Sequence, residues 1–257
     1  MRMRVRVPVT TLWVAPDRPR AVDAPAVADR PDVAAWLAAL DAHTADDETD
    51  DGRLGLHGRV QTQVLAGEPV TVIGHDDAYP GWVEVVCAWQ PSSLDPRGYP
   101  GWLREAHLIG DDTGGHDDAP DDESWAARPG PDGRADLALA REHLGLPYLW
   151  GGTSPLGLDC SGLVHLVHRE LGHVLPRDAH DQQAATEPVD PADALPGDLY
   201  FFARPGEPAH HVGIVTGAYR MIHASERRAV VEEPLDDRRR ATLTAAGRVP
   251  GRPKEAP

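Results

Sequence analysis

Cysteine is scarce in this chain of 257 residues, and lysine is nearly missing. There are two cysteines, Cys87 and Cys160, against a single lysine, Lys254. Two thiols cannot build a disulfide-stapled scaffold, and they fall in separately patterned halves of the sequence, so reduced thiols are expected. No run of eighteen apolar residues occurs, which excludes a membrane-spanning helix of ordinary composition. The opening Met-Arg-Met-Arg-Val-Arg-Val-Pro-Val carries charge without an apolar core of its own, so no secretion signal is expected. A net charge of −16 argues against nucleic acid and anionic membrane as partners. The acidity concentrates in Asp41 to Asp51 and Asp111 to Glu123, which read as solvated loop and linker.

What the chain does have is one cysteine in a telling place. From Tyr148 to Val164 it runs Tyr-Leu-Trp-Gly-Gly-Thr-Ser-Pro-Leu-Gly-Leu-Asp-Cys-Ser-Gly-Leu-Val. Leu163, Val164, Leu166, Val167 and Leu171 then recur at helical spacing until Gly172, so a helix is expected from about Ser161 to Leu171. Cys160 stands at its start. Unpaired N–H groups and the helix dipole favour negative charge there, and a thiol so placed shifts toward the reactive thiolate.

Two strand-like segments follow, 211 to 216 and 221 to 225, with a turn between them. A three-residue turn over Thr216 to Ala218 puts His211 directly opposite His223 on one face, close enough for one imidazole to orient the other. Nucleophile, base and orienter are then all present, the logic of a Cys-His-His triad. His210 points the other way and is read as solvent-facing or structural. The same three side chains are also legitimate zinc ligands, although no fourth ligand is evident. No metal or cofactor is expected.

The segments Tyr148 to Val164, Pro196-Gly-Asp-Leu-Tyr-Phe-Phe202, His211-Val-Gly-Ile-Val215 and Ile222-His-Ala-Ser225 resemble, in order, the NlpC family of papain-like cysteine peptidases, which act on bacterial cell-wall peptides. The resemblance spans about residues 132 to 235. It implies Cys160 as nucleophile, His211 as general base and His223 as the residue orienting it. It also implies that Tyr148, Asp159 and Ser161 line the substrate cleft.

The first 110 residues carry short apolar strands punctuated by Gly, Pro and Asp, with a helical segment at Pro31 to Asp41. Gln61 to Val70 and Arg97 to Trp102 are similar to the SH3-like domain of γ-D-glutamyl-L-diamino acid endopeptidases. By that resemblance Glu68 and Tyr99, with Asp159, hold the free α-amine of a substrate beginning with L-alanine. An ammonium does require such an anionic, hydrogen-bonding corner. The chain departs from the pattern in having Ala179 where relatives commonly have serine, a small residue at Ala66, and no second SH3-like domain.

The resulting expectation is an α+β protein. An SH3-like β-barrel with a helical insertion occupies 1–110, an acidic linker 111–131, a papain-like NlpC peptidase domain 132–240, and a disordered tail 241–257. The expected activity is hydrolysis, in the cytoplasm, of the γ-D-glutamyl bond to a diamino acid in murein peptides with a free N-terminal L-alanine, as in cell-wall peptide recycling. The alternatives are hydrolysis of intact wall stems and non-catalytic wall-peptide binding.

Overall fold

The computed structural model describes residues 1–43, 51–111, 135–226 and 228–250. The chain divides into two compact units, Met1–Asp118 with Leu149–Asp159 and Ala119–Tyr148 with Cys160–Pro257. The expected linker at 111–131 lies outside the described residues except for Asp111, which accepts a hydrogen bond from Arg4 Nε at 2.9 Å.

Seven strands make the sheet of the first unit: β1 (Arg2–Val5), β2 (Val9–Trp13), β3 (Val60–Leu65), β4 (Pro69–His75), β5 (Trp82–Cys87), β6 (Tyr99–Arg104) and β7 (Leu108–Gly110). All pairings are antiparallel, in the order β3-β2-β6-β5-β4-β1-β7. Among the described residues the expected barrel does not close. The outer strands β3 and β7 are not paired with each other, so the sheet is open. Alternating strands signal a half-buried sheet but not closure, which depends on which strands become neighbours.

Val5, Leu12, Val64, Val70, Val85 and Leu103 pack on one another as one apolar core of this unit. Helices α1 (Ala24–Val27) and α2 (Val33–Asp41) occupy the interval between β2 and β3. Asp32 caps α2 by accepting from the Ala35 N–H at 2.9 Å, and Trp36, Leu37 and Leu40 carry the buried stripe. That stripe meets Trp13, Leu56 and Leu149 in a second core.

Leu149 brings part of the expected peptidase segment into the first unit. Residues 149–159 belong with the first unit, for reasons visible in their hydrogen bonds. Trp150 Nε1–H donates to the Val60 carbonyl at 3.0 Å, and the Gln63 N–H donates to the Gly151 carbonyl at 2.8 Å. The segment closes on itself through β8 (Thr153–Ser154) and β9 (Gly157–Leu158).

The second unit contains α3 (Ala135–Glu142), α4 (Cys160–Glu170), α5 (Ala179–Ala184) and α6 (Asp237–Thr242). Its six-stranded antiparallel sheet comprises β10 (Glu187–Val189), β11 (Leu199–Phe202), β12 (His211–Gly217), β13 (Arg220–Ala224), β14 (Val230–Pro234) and β15 (Leu243–Arg248), in the order β10-β15-β11-β12-β13-β14. The cysteine-bearing helix α4 packs against β12 and β13.

The end of the chain corrects the expected disordered tail. Residues 243–248 form β15, an interior strand between β10 and β11, and Ala246 and Val249 are buried. Its small residues lie opposite large ones, Ala245 against Phe201 and Ala246 against Tyr200. Arg248 closes the strand with a two-pronged ion pair to the buried Asp198, at 2.9 and 2.8 Å. Residues 251–257 of the expected tail lie outside the described residues.

Candidate active site

Cys160 is the first residue of α4 and is buried. The helix forms because Leu163, Val164, Leu166 and Val167 provide a continuous buried face, and it stops at Gly172, whose φ of 80° is the left-handed conformation of a helix end. The next residue, Ser161, accepts a hydrogen bond from Arg177 Nη1 at 2.8 Å, and its carbonyl accepts from Gln182 Nε2 at 2.9 Å. Gln182 also donates to the Pro176 carbonyl at 2.8 Å, which ties α5 to the start of α4. Ala179 is the buried first residue of α5. Tyr148 is buried in the same unit.

His211 opens β12, and His223 lies on β13. Their rings meet edge to face, with His211 Nε2 and His223 Nδ1 3.0 Å apart. The contact is the expected one; the register behind it is not. Ile214 pairs with Ile222 and Val215 with Met221, so the same register places Gly213, not His211, against His223. The turn is tighter than expected because Tyr219 adopts φ 53°, and an irregularity between Val215 and Gly217 absorbs the extra residue. Tertiary contacts hold Tyr219 there. Its N–H donates to the Tyr200 hydroxyl at 3.3 Å, its carbonyl accepts from the Leu235 N–H, and the Arg240 guanidinium lies 4.3 Å over its ring.

A two-residue slip keeps every side chain on its original face, so the imidazoles still meet, along a diagonal. Glycine at 213 makes the diagonal possible. A Cβ there would stand 3.1 Å from that of His223 and collide with the sulfur of Met221. The second histidine also reaches β14: His223 Nε2 lies 3.2 Å from Glu233 Oε1, whose partner oxygen accepts from Arg228 at 2.9 Å. His210 is exposed, as expected.

Both inner histidines are held neutral. Burial pushes His211 well below its ordinary value, with the charge of Arg239 acting the same way. Burial also pulls His223 down to about 4, again reinforced by Arg239 and opposed by Glu233. Arg239, on α6, was not singled out by sequence reasoning. It lies 5.6 Å over the ring of Phe202, which pairs directly with His211. Cys160 is the strongest of the charges that support its protonated form, against the burial that opposes it. A partly buried cation therefore acts on the thiol and on both imidazoles. Its sequence signal, one arginine in Asp-Asp-Arg-Arg-Arg, is indistinguishable from a solvated helix face.

The arrangement offers a thiol at a helix start that interacts with a cation, and a neutral imidazole pair on the two strands against which that helix packs. That set can generate a thiolate and return a proton. It does not offer a zinc cage, because each nitrogen of His223 already has a protein partner. Among the described residues, the grouping with metal-ligand spacing is instead Asp178, His180 and Asp181.

The other expected substrate residues lie in the first unit. Glu68 is buried, with Oε1 accepting from the Leu65 N–H at 3.0 Å and Oε2 from Gln90 Nε2 at 3.3 Å. Gln90 also donates to the Gln63 carbonyl at 2.8 Å, which accepts from Thr153 Oγ1 as well. Tyr99 is buried opposite Cys87. Burial and the nearby Glu68 raise the Cys87 thiol well above its ordinary value, so this second cysteine is an inert core residue. Asp159 is buried and accepts from the Gly151 N–H at 2.8 Å.

Residues 145–246 match the model of the NlpC/P60 family. A γ-D-glutamyl-L-lysine dipeptidyl-peptidase of Bacillus subtilis (strain 168) is 31% identical over 87% of this chain and 90% of its own length. The chain belongs to the NlpC/P60 family. Family membership makes it a hydrolase of the cysteine-peptidase kind. A γ-D-glutamyl-L-lysine dipeptidyl-peptidase of Bacillus cereus (strain ATCC 10987 / NRS 248) is 28% identical over 89% of this chain and 84% of that one. The crystal structure of an NlpC/P60 family protein from Bacillus cereus ATCC 10987 superimposes with a TM-score of 0.79, covering 96% of this chain and 99% of that one at 24% identity, a likeness of fold. No helix among the described residues is long and apolar enough to cross a membrane.

Proposed function

We propose that this NlpC/P60 peptidase hydrolyses the γ-D-glutamyl bond to an L-configured diamino acid in murein peptides with a free N-terminal L-alanine, releasing the L-alanyl-D-glutamate dipeptide. The observation that carries the reading is the neutral His211–His223 pair in the same unit as a thiol at a helix start, in a chain similar over nearly its full length to two dipeptidyl-peptidases.

In this mechanism the Cys160 thiol passes its proton to His211, and the sulfur attacks the γ-carbonyl. Backbone N–H groups at the start of α4 stabilise the oxyanion. His211 then protonates the leaving amine of the diamino acid, and water hydrolyses the thioester with His211 as base. Arg239 favours the thiolate and keeps the imidazoles neutral before the proton moves. Tyr148 and Ser161 line the substrate position.

Glu68, Tyr99 and Asp159 bind the alanine ammonium in this reading. Two buried carboxylates held by neutral amide donors, with a phenol in the same unit, are the chemistry such a cation needs. We read the first unit as the SH3-like substrate-selecting part and the biological role as recycling of released wall peptides in the cytoplasm.

The test is kcat/KM on L-Ala-γ-D-Glu-diamino acid peptides, compared with the same peptides acylated at the alanine amine. Breaking a buried ammonium–carboxylate pair by removing one partner costs roughly 3 to 5 kcal/mol, so acylation is expected to cost about a hundredfold or more. Glu68→Gln should show part of that loss on the free peptide. Equal rates on both substrates would make hydrolysis of intact wall stems the better reading.

A further inference from the structure

His211, Gly213 and Met221, His223 and Val231, Glu233 share one face of three neighbouring strands, because direct and two-residue-diagonal neighbours in an antiparallel sheet point the same way. Val231 is the direct partner of His223, so Glu233 reaches that ring by the same two-residue diagonal that joins His223 to His211. The result is one row of polar groups: Arg228 Nη1 to Glu233 Oε2 at 2.9 Å, Glu233 Oε1 to His223 Nε2 at 3.2 Å, and His223 Nδ1 to His211 Nε2 at 3.0 Å. Nothing in the Cys-His-His pattern of the sequence required the outer two members.

We infer that Glu233, oriented by Arg228, is a positioning residue that sets the tautomer of both histidines and thereby leaves Nδ1 of His211 as the basic nitrogen. The inference rests on the catalytic roles proposed above. An ionised carboxylate only accepts, so the proton of His223 sits on Nε2 and its Nδ1 is bare. That bare nitrogen accepts from His211, so the His211 proton sits on Nε2 and its Nδ1 is bare in turn. When Cys160 ionises, its proton lands on His211 Nδ1, and the imidazolium is stabilised through His223 with no proton transferred to Glu233. The charged groups acting on this row are Glu233 and Arg228 at one end, His210 beside His211, and Arg239 from α6, which itself interacts with Cys160 of α4.

Arg228 makes the inference sharply testable. In Glu233→Gln, a guanidinium that only donates holds the amide oxygen toward itself and turns the amide NH2 toward His223 Nε2. That nitrogen must then accept. The proton of His223 moves to Nδ1, His211 Nε2 becomes the acceptor, and the His211 proton occupies the nitrogen needed for catalysis. Removing Arg228 as well frees the amide to rotate and accept from His223 Nε2–H as the carboxylate did.

The experiment is nitrogen-15 NMR of the histidines in the full chain, with steady-state kinetics on a murein tripeptide and the rate of Cys160 alkylation by iodoacetamide. Wild type should show the Nε2–H tautomer at His211 and His223. Glu233→Gln should convert both to Nδ1–H, with kcat reduced roughly tenfold or more and KM within about twofold. Adding Arg228→Gln should restore the Nε2–H tautomers and recover part of kcat. Retention of the Nε2–H tautomers in Glu233→Gln, or failure of the double variant to restore them, would overturn the inference. If the wild type failed to turn over the peptide, the substrate reading would fall, whereas the tautomers and the alkylation rates would still decide the role of Glu233.

Discussion

His223 lies across the hairpin from Gly213, and His211, two residues along the same face, reaches it diagonally. The pairing of the rings depends on a residue with no side chain between them. Gly213→Ala introduces a Cβ that meets the Met221 sulfur and the His223 Cβ with no open space to enter. Overpacking of this kind costs about 1 to 3 kcal/mol, and displacement of His223 should lower kcat by more than about tenfold. Thermal unfolding and peptide turnover measured on the same preparation check both effects; an active, fully stable variant would show that the row tolerates rearrangement.

The two cysteines are expected to behave oppositely. Cys160→Ala should eliminate turnover while preserving the fold, and Cys87→Ala, which removes an inert thiol from the first core, should leave turnover nearly intact. Mass spectrometry of iodoacetamide-treated wild type should find the label on Cys160 first. Turnover retained by Cys160→Ala would remove the nucleophile from the mechanism.

Arg239 is expected to govern the reactivity of that thiol. Replacing it with Gln removes a partly buried cation that favours the thiolate, so the pH at which Cys160 alkylation reaches half its maximum should move upward. An unmoved midpoint would mean that the start of α4 alone activates the sulfur.

Acid should destabilise the protein through its buried histidines. His165 donates from Nδ1 to the Leu175 carbonyl at 2.8 Å, its Nε2 has no partner among the described residues, and burial together with Arg169 pushes it down to about 3. Its folded value lies below the ordinary 6.5, so between those values the unfolded chain binds more protons and stability falls as pH drops. At pH 5 the loss is about 2 kcal/mol from His165. His211 and His223 act in the same direction. Urea midpoints at pH 7.5 and pH 5 measure the loss, which should be smaller in His165→Met; equal losses in the two proteins would place the acid sensitivity elsewhere.

The sequence alone determined the local parts of this protein. The periodic leucines and valines after Cys160 specify a helix, and glycine ends it where expected, because both signals depend on neighbours a few residues away. The same holds for the two histidine strands and the helix at 33–41. Only the tertiary structure decided how those parts meet. The hairpin register follows Tyr219, whose left-handed turn is held by Tyr200, Leu235 and Arg240 from other parts of the fold. The first sheet stays open because of which strands became neighbours, and residues 149–159 join it through hydrogen bonds to Val60 and Gln63. The alanine- and glycine-rich Leu243–Arg248 becomes an interior strand because Tyr200 and Phe201 fill the space that its own small side chains leave. Glu233 and Arg239 carry no local mark at all. Each is an ordinary charged residue until pairing and packing bring it to an imidazole or a thiol distant in the chain, and a one-dimensional pattern has no means of encoding that approach.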